Sequence, residues 1–447
     1  MSKSSGDIPG SQHGVSPLDR AHALRLLGQI DPALQLATSI LNTTSEDIGA
    51  AYLVARLLVD AKRPAVVARL TDELLARFVR RGDLGCACLC AQLAADAGAN
   101  RDAALTKIAD AFGKGSARVG DASPRPPPLP AEIDVSADLA KLSGAALHAA
   151  AEAALTRWQK NKDSAPDTAK LPRLPLFGEL PAATLMKLLA ALQVREFSAG
   201  KSVVQQGDPG RDAFLLARGV LNVVRTDPEK TAILAVLGPG ALFGEMALVS
   251  NAPRAASVVA VEPTQVLAAS RSHLEALAQK DPTIARELGQ FCNQRMVSNL
   301  IRHSRILSAV EPQKRPELMS RFKTQTFQPG DVLVRQGEEA GCLFLIASGG
   351  VEVRSTDADG DRVILAQTGP GEVVGEISLV LRRPATADVV AVHTTVALEL
   401  TRDQFHAAIR EHPGLLQELY EVATQREEET RSVVAREALD ISDNVLL

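Results

Sequence analysis

The chain has 447 residues, enough for roughly two to four domains with substantial apolar cores. Lys and Arg (49) nearly balance Asp and Glu (53), so the net charge of −4 gives no basic surplus for a nucleic-acid partner. The opening MSKSSGDIPGSQHGVSP lacks the apolar core of a signal peptide, and no run of about eighteen apolar residues escapes interruption by charge. These features imply a soluble cytoplasmic protein with no membrane contact and a disordered N-terminus over residues 1–17.

Residues 18–113 read as successive helices. DRAHALRLLGQ, PALQLATSILN, EDIGAAYLVARLLVDA, AVVARLTDELLARFVRR, GCACLCAQLAADAG and DAALTKIADAFGKG each carry apolar residues at helical spacing, separated by Asp-Pro, Arg-Pro or Gly-containing breaks. Paired helices of this length resemble a degenerate tetratricopeptide-like array, although the fixed residues of that repeat are not evident, and an irregular helical bundle fits as well. Either reading makes the region a surface for a protein partner. The odd total of five cysteines excludes a complete disulfide framework. Cys86, Cys88 and Cys90 in CACLC lack the further ligands of a metal site, and read as small residues packing a helix–helix contact.

The segment 114–133 contains SPRPPPLP, which enforces an extended, stiff spacer. One more helix, SADLAKLSGAALHAAAEAALTRWQK, and the polar stretch NKDSAPDTAK fill 134–170. From there β-branched runs punctuated by glycine indicate all-β units, and the texture occurs twice, over 171–308 and 309–432. Gly238–Val261 aligns without a gap on Gly369–Val392, so LAVLGPGALFGE answers LAQTGPGEVVGE. This is a tandem duplication of a domain of about 130 residues. A short tail, 433–447, follows. The fold class is therefore multi-domain α+β: an all-α region, then two tandem β-rolls of jelly-roll type with flanking helices.

Gly207–Gly210, Arg218-Gly219, Gly238-Pro239-Gly240 and FGEMALVSNAPRAASV resemble the cyclic-nucleotide-binding domain family, whose members include bacterial catabolite activators and the regulatory subunits of cAMP-dependent kinases. The resemblance implies a binding segment made of Gly244, Glu245, Met246, Ala247, Arg254, Ala255 and Ala256. Arg254 would give the cyclic phosphate a fork of charge-assisted hydrogen bonds. Glu245 would accept the ribose 2′-hydroxyl, and the turn at Glu245–Leu248 would face the anion with its N–H groups. Gly244 allows the tight approach. Small Ala247, Ala255 and Ala256 leave room for the ring. Ala255, standing where members selective for cGMP often carry Thr or Ser, favours cAMP over cGMP. Phe291 and Met296 are candidates to cover the base, though core packing explains them equally well.

In the second copy Arg254 maps to Ala385, and Ser257 maps to Asp388. A pocket that loses its cation and gains a carboxylate should bind an anion poorly. Its candidate residues are Gly375, Glu376, Ile377, Ser378 and Arg383, the last as an imperfect replacement cation two residues upstream. The chain reads as a non-enzymatic regulator with no cofactor beyond its cyclic-nucleotide ligand, and the second roll is suited to a moving body or a homodimer surface. No helix-turn-helix follows either roll, which disfavours a DNA-binding regulator. The linker lacks an Arg-Arg-x-Ser/Ala segment of the kinase-inhibitory kind, and the RRPA at 382–385 lies inside a β domain. A ligand-free scaffold is the rival reading.

Overall fold

The computed structural model describes residues 15–120, 132–161, 170–172, 174–227, 230–248, 253–356 and 362–444. The Pro-rich stretch at 123–130 and most of the polar link at 161–170 lie outside them, as do residues 1–14 of the N-terminus. The chain falls into two compact units: the first takes residues up to Gly244 together with Arg254–Leu288, the second Glu245–Pro253 with Gly289–Leu447.

The first unit opens with six helices: α1 (Pro17–Leu26), α2 (Ile30–Thr43), α3 (Ile48–Asp60), α4 (Pro64–Arg81), α5 (Leu84–Asp96) and α6 (Arg101–Phe112). The breaks between them are caps. Asp47, Asp83 and Asn100 each accept the N–H of the residue three ahead, at 2.9, 2.8 and 3.0 Å, and Gly82 ends α4 in the left-handed conformation at φ 78°. Helix α7 (Gly144–Lys160) returns to the bundle. There the buried Arg77 stacks 4.0 Å from the Trp158 ring centroid and donates to the carbonyls of Trp158, Gln159 and Asn161, closing the C-terminal end of α7.

After α8 (Ala182–Ala190) comes the first β-roll: β1 (Gln193–Phe197), β2 (Ser202–Val204), β3 (Asp212–Arg218), β4 (Leu221–Asp227), β5 (Lys230–Leu237), β6 (Leu242–Phe243), β7 (Ser257–Ala260) and β8 (Thr264–Ser270). They pair antiparallel in two four-stranded sheets, ordered β1-β8-β3-β6 and β2-β7-β4-β5. Phe214, Leu216, Phe243, Val258 and Val266 fill the space between them. Strand β3 is buried on both faces, Ala213 through Ala217. Its outer face is covered by α5, so close that a Cβ on Gly85 would come within 2.6 Å of Ala217 Cα. The cysteine-rich helix thus makes the expected helix–helix contacts, with α4 and α6, and packs against β3 as well. Cys86 Sγ lies 3.4 Å from the Ala217 carbonyl, and burial pushes the Cys88 thiol up to about 12.

The helical region and first roll are further joined by ion pairs that no local pattern announces. Arg25 bridges Asp60 at 2.8 Å and Glu196 at 2.7 Å. Arg218 pairs with Asp19 and donates to the Pro263 carbonyl at 2.8 Å. His22, buried beside Arg218 and Arg25, has its pKa held well below the usual imidazole value, first by burial and then by those two cations. Helices α9 (Arg271–Lys280) and α10 (Pro282–His303) follow.

The second unit repeats the roll. After α11 (Arg305–Ser308) and α12 (Arg315–Ser320) come β9 (Lys323–Phe327), β10 (Val332–Val334), β11 (Cys342–Ser348), β12 (Val351–Thr356), β13 (Arg362–Thr368) and β14 (Val373–Val374). Helix α13 (Glu376–Leu381) separates these from β15 (Asp388–Ala391) and β16 (Thr395–Thr401). The sheets are ordered β9-β16-β11-β14 and β10-β15-β12-β13, the same topology as the first roll. On β11, Phe344 and Ile346 face the roll interior, while Leu343 and Leu345 join Met296, Leu307 and Phe405 in a core beneath the flanking helices. Helix α14 (Arg402–Glu411) precedes α15 (Pro413–Asn444), a single long helix that runs through most of the expected tail.

Candidate functional site

In the first unit Arg254 sits just before β7, half-buried. Its Nη1 donates to the Gly244 carbonyl at 3.0 Å and its Nη2 to the Asp212 carbonyl at 2.6 Å, with the guanidinium 6.0 Å from the Phe214 ring centroid. Phe214 in turn stacks on Phe243 at 5.1 Å. Two main-chain acceptors therefore fix the fork's position from one side. Gly244 is required here twice over. Its φ is +74°, and a Cβ would lie 2.9 Å from Arg254 Nη1 and 3.1 Å from the Asp212 carbonyl. Ala255 is exposed and Ala256 half-buried.

Glu245 and Met246 belong to the second unit, on the short 3₁₀ turn Glu245–Leu248; the backbone of Ala247 lies in that turn. Glu245 is buried, pairs with Arg295 (Nε to Oε1 3.5 Å), and its carbonyl accepts from the Cys292 thiol at 3.8 Å. Burial, reinforced by the Glu245 charge, pushes that thiol up to about 12. Met246 packs against the second unit's helical core, where Met296 is buried; Phe291 is buried as well.

The second roll reproduces the backbone frame bond for bond. The Gly207 N–H donates to the Arg254 carbonyl and the Arg254 N–H to the Asp208 carbonyl; Gly337, Ala385 and Glu338 make the same pair of bonds at 2.8 and 2.9 Å. Ala385 therefore occupies Arg254's place, in keeping with the ungapped alignment. Gly375 keeps the left-handed φ, +85°, ahead of α13.

Two expectations need correction. Arg383 does not line the cavity beside Ala385: its side chain is 59% exposed and pairs with Glu427 at 2.9 Å. Asp388 does not oppose a ligand there. It accepts the Gln336 N–H at 2.8 Å, the turn bond that Ser257 Oγ makes with the Gln206 N–H at 3.0 Å.

Sequence reasoning missed the arginine on the helix after each roll. Arg426 of α15 donates Nη1 to Glu376 Oε1 at 2.9 Å. Arg295 of α10 pairs with Glu245, and it stands at the equivalent step of the first copy. The signal was available, because the same ungapped offset that links Arg254 to Ala385 also links Arg295 to Arg426.

A separate cleft of about 560 Å³ in the first unit, between the helices and the roll, is lined by Arg25, Arg56, Arg101, Asp96 and Glu196 among others. Arg25 and Arg56 are tied to Asp60, Glu196 and Asp96. Much of its charge is thus consumed internally. Among the described residues no cluster of His, Cys, Asp and Glu suits a metal, and no helix is long and apolar enough to cross a membrane.

Comparison with known proteins follows these lines. The cyclic nucleotide-binding domain family matches residues 194–281 and 324–412. The cAMP-dependent protein kinase regulatory subunit of Debaryomyces hansenii is 28% identical over 232 residues, covering 52% of this chain and 48% of that protein. The type II regulatory subunit of Drosophila melanogaster is 29% identical over 223 residues, covering 50% and 56%. Among solved structures, the regulatory domain of Toxoplasma gondii PKA with cAMP is 25% identical and covers 56% of this chain and 92% of that one, with a TM-score of 0.27. The chain spans about half the length of the curated relatives it matches. It carries a helical region followed by two tandem cyclic-nucleotide-binding β-sandwich domains that resemble those of the kinase regulatory subunits.

Proposed function

We propose that the chain is a non-catalytic regulatory protein whose first β-roll binds cAMP, with Arg254 as the phosphate's partner and Glu245 as acceptor of the ribose 2′-hydroxyl. The observation that carries this is Arg254 itself. Two main-chain carbonyls hold its guanidinium, beside a glycine whose left-handed backbone leaves room for no side chain. A preset fork of this kind suits a phosphodiester monoanion and suffers little ordering entropy on binding. Ala255 after the arginine favours adenine over guanine. The relatives' names, regulatory subunits of cAMP-dependent protein kinase, support a kinase catalytic subunit as the class of protein partner. Helices α1, α3 and α5, which begin at Pro17, Ile48 and Leu84, keep the tetratricopeptide-like reading of the helical region open as its docking surface.

Calorimetry with cAMP, cGMP and linear 5′-AMP on wild type and Arg254→Ala tests this. We expect cAMP to bind most tightly and the variant to lose about thirty- to several thousand-fold in affinity, the range for removing one partner of a buried charge pair. Absence of heat with every cyclic nucleotide on wild type would favour the scaffold.

A further inference from the structure

The cleft of about 560 Å³ between the helices and the first roll falls within the usual size of small-molecule sites. Its charge is balanced. Arg25, Arg56 and Arg101 of the wall stand against Asp96 and Glu196, with Asp60 bridging Arg25 and Arg56 as a third carboxylate. What the wall lacks is local, and of both kinds. Arg101 forms no ion pair among the described residues: its Nη2 donates to the Ala190 carbonyl at 3.2 Å, and its Nε is buried with no acceptor. Gln265, 3% exposed, donates Nε2 to Glu196 Oε1 at 2.6 Å, while its own Oε1 is buried with no donor. Turning that amide over would not cure the lack, because its oxygen would then face the Glu196 carboxylate. Glu196 receives Arg25 and Gln265 on the same Oε1, which leaves its Oε2 without a hydrogen bond among the described residues. Native folds keep few buried polar groups in this condition, because each is disfavoured until it finds a partner.

We infer that this cleft binds a small zwitterion of the amino-acid class, its carboxylate on Arg101 and its ammonium between Glu196 and Gln265. A guanidinium meets a carboxylate with a fork of charge-assisted bonds. An ammonium brings three donors, enough to serve both Glu196 Oε2 and Gln265 Oε1. A net charge of zero matches the balanced wall. A plain anion would answer Arg101 but bring nothing to Gln265, and a plain cation would do the reverse. The two orphan atoms are shut off from water within the wall, so each side chain turns toward the ligand as it binds. Arg101 opens α6 and Gln265 lies on β8, so the ligand would bridge the helical region and the roll and stabilise their docking by mass action.

The test uses the full chain. The standard L-amino acids are screened one at a time for a rise in melting temperature, and those that raise it are titrated by calorimetry. Their N-acetyl and α-carboxamide forms, each lacking one of the two charges, are titrated beside them. The expected result is one site, with each capped form about tenfold or more weaker than the free amino acid. Arg101→Met should weaken the free amino acid about tenfold and erase its advantage over the α-carboxamide form alone. Glu196→Gln should erase its advantage over the N-acetyl form alone. Both variants should bind cAMP as wild type does. Glu196 also anchors Arg25, so the folding of its variant is checked by circular dichroism, whereas Arg101→Met gives up a bond to a single carbonyl. Failure of every amino acid to bind at millimolar concentration would overturn the inference. So would equal affinity for free and capped forms, or an Arg101→Met protein that binds as wild type does. Tighter binding of the N-acetyl form than of the free amino acid would overturn it too, making the cleft a site for anions.

Discussion

Substituting Gly244 by alanine separates backbone strain from ligand chemistry. The left-handed conformation at φ +74° disfavours an L side chain by about 1–2 kcal/mol, and that loss falls on stability. The added Cβ would also stand 2.9 Å from Arg254 Nη1. The guanidinium lies at the end of a flexible chain and can step aside, but then forfeits its 3.0 Å bond to the Gly244 carbonyl. A hydrogen bond to a charged group contributes about 1.5–3 kcal/mol, so a fork displaced this way lowers cAMP affinity about ten- to a hundredfold. Gly375→Ala is the contrast. There the Cβ meets the Cys342 carbonyl at 2.8 Å, main chain that cannot step aside, so stability falls at least as far while cAMP affinity holds. Urea denaturation reads the first quantity and calorimetry the second. Equal loss of cAMP affinity in the two variants, or a Gly244→Ala protein indistinguishable from wild type in both assays, would refute the reasoning.

Arg254→Lys keeps the charge but not the fork, and is expected to recover only part of the affinity that Arg254→Ala loses, as titration with cAMP would show. His22 should make stability depend on pH. Below its unfolded value, about 6.5, the unfolded chain takes up a proton that the buried imidazole resists, so stability falls as pH falls, by up to about 1.4 kcal/mol per unit. Urea midpoints between about pH 7 and 5 should show this slope, and His22→Leu should flatten it. Arg77→Met removes the donor serving three carbonyls at the end of α7 and should destabilise the first unit by about 3 kcal/mol. Emission from Trp158, the only tryptophan, reports that change directly.

The duplicated rolls were legible because glycine and arginine carry chemistry that few other residues can replace, so their spacing survives where apolar positions drift. Gly244, Gly375, Arg254 and the loss at Ala385 could all be read from two aligned lines. The docking of the helices onto the first roll could not. Arg25 meets Glu196, and Gly85 meets Ala217, across long stretches of chain, and neither glycine nor arginine signals its distant partner in its own neighbourhood. The run AFLLA in β3 did carry a hint: a roll strand with one wet face should alternate, and this one does not. Asp388 was misread because a charge near a pocket was taken for a charge in it, whereas a carboxylate and a serine hydroxyl accept the same turn N–H equally well.

The two helix arginines show how the copies have parted beyond the single change at Ala385. In the second roll the guanidinium of Arg426 is 27% exposed, 2.9 Å from Glu376, and anchored by a carbonyl as well. In the first, Arg295 is 41% exposed and its Nε stands 3.5 Å from Glu245. The Arg426–Glu376 pair is the shorter and better shielded of the two. The two arginines thus stand at equivalent steps of the two copies but in ion pairs of different length and exposure.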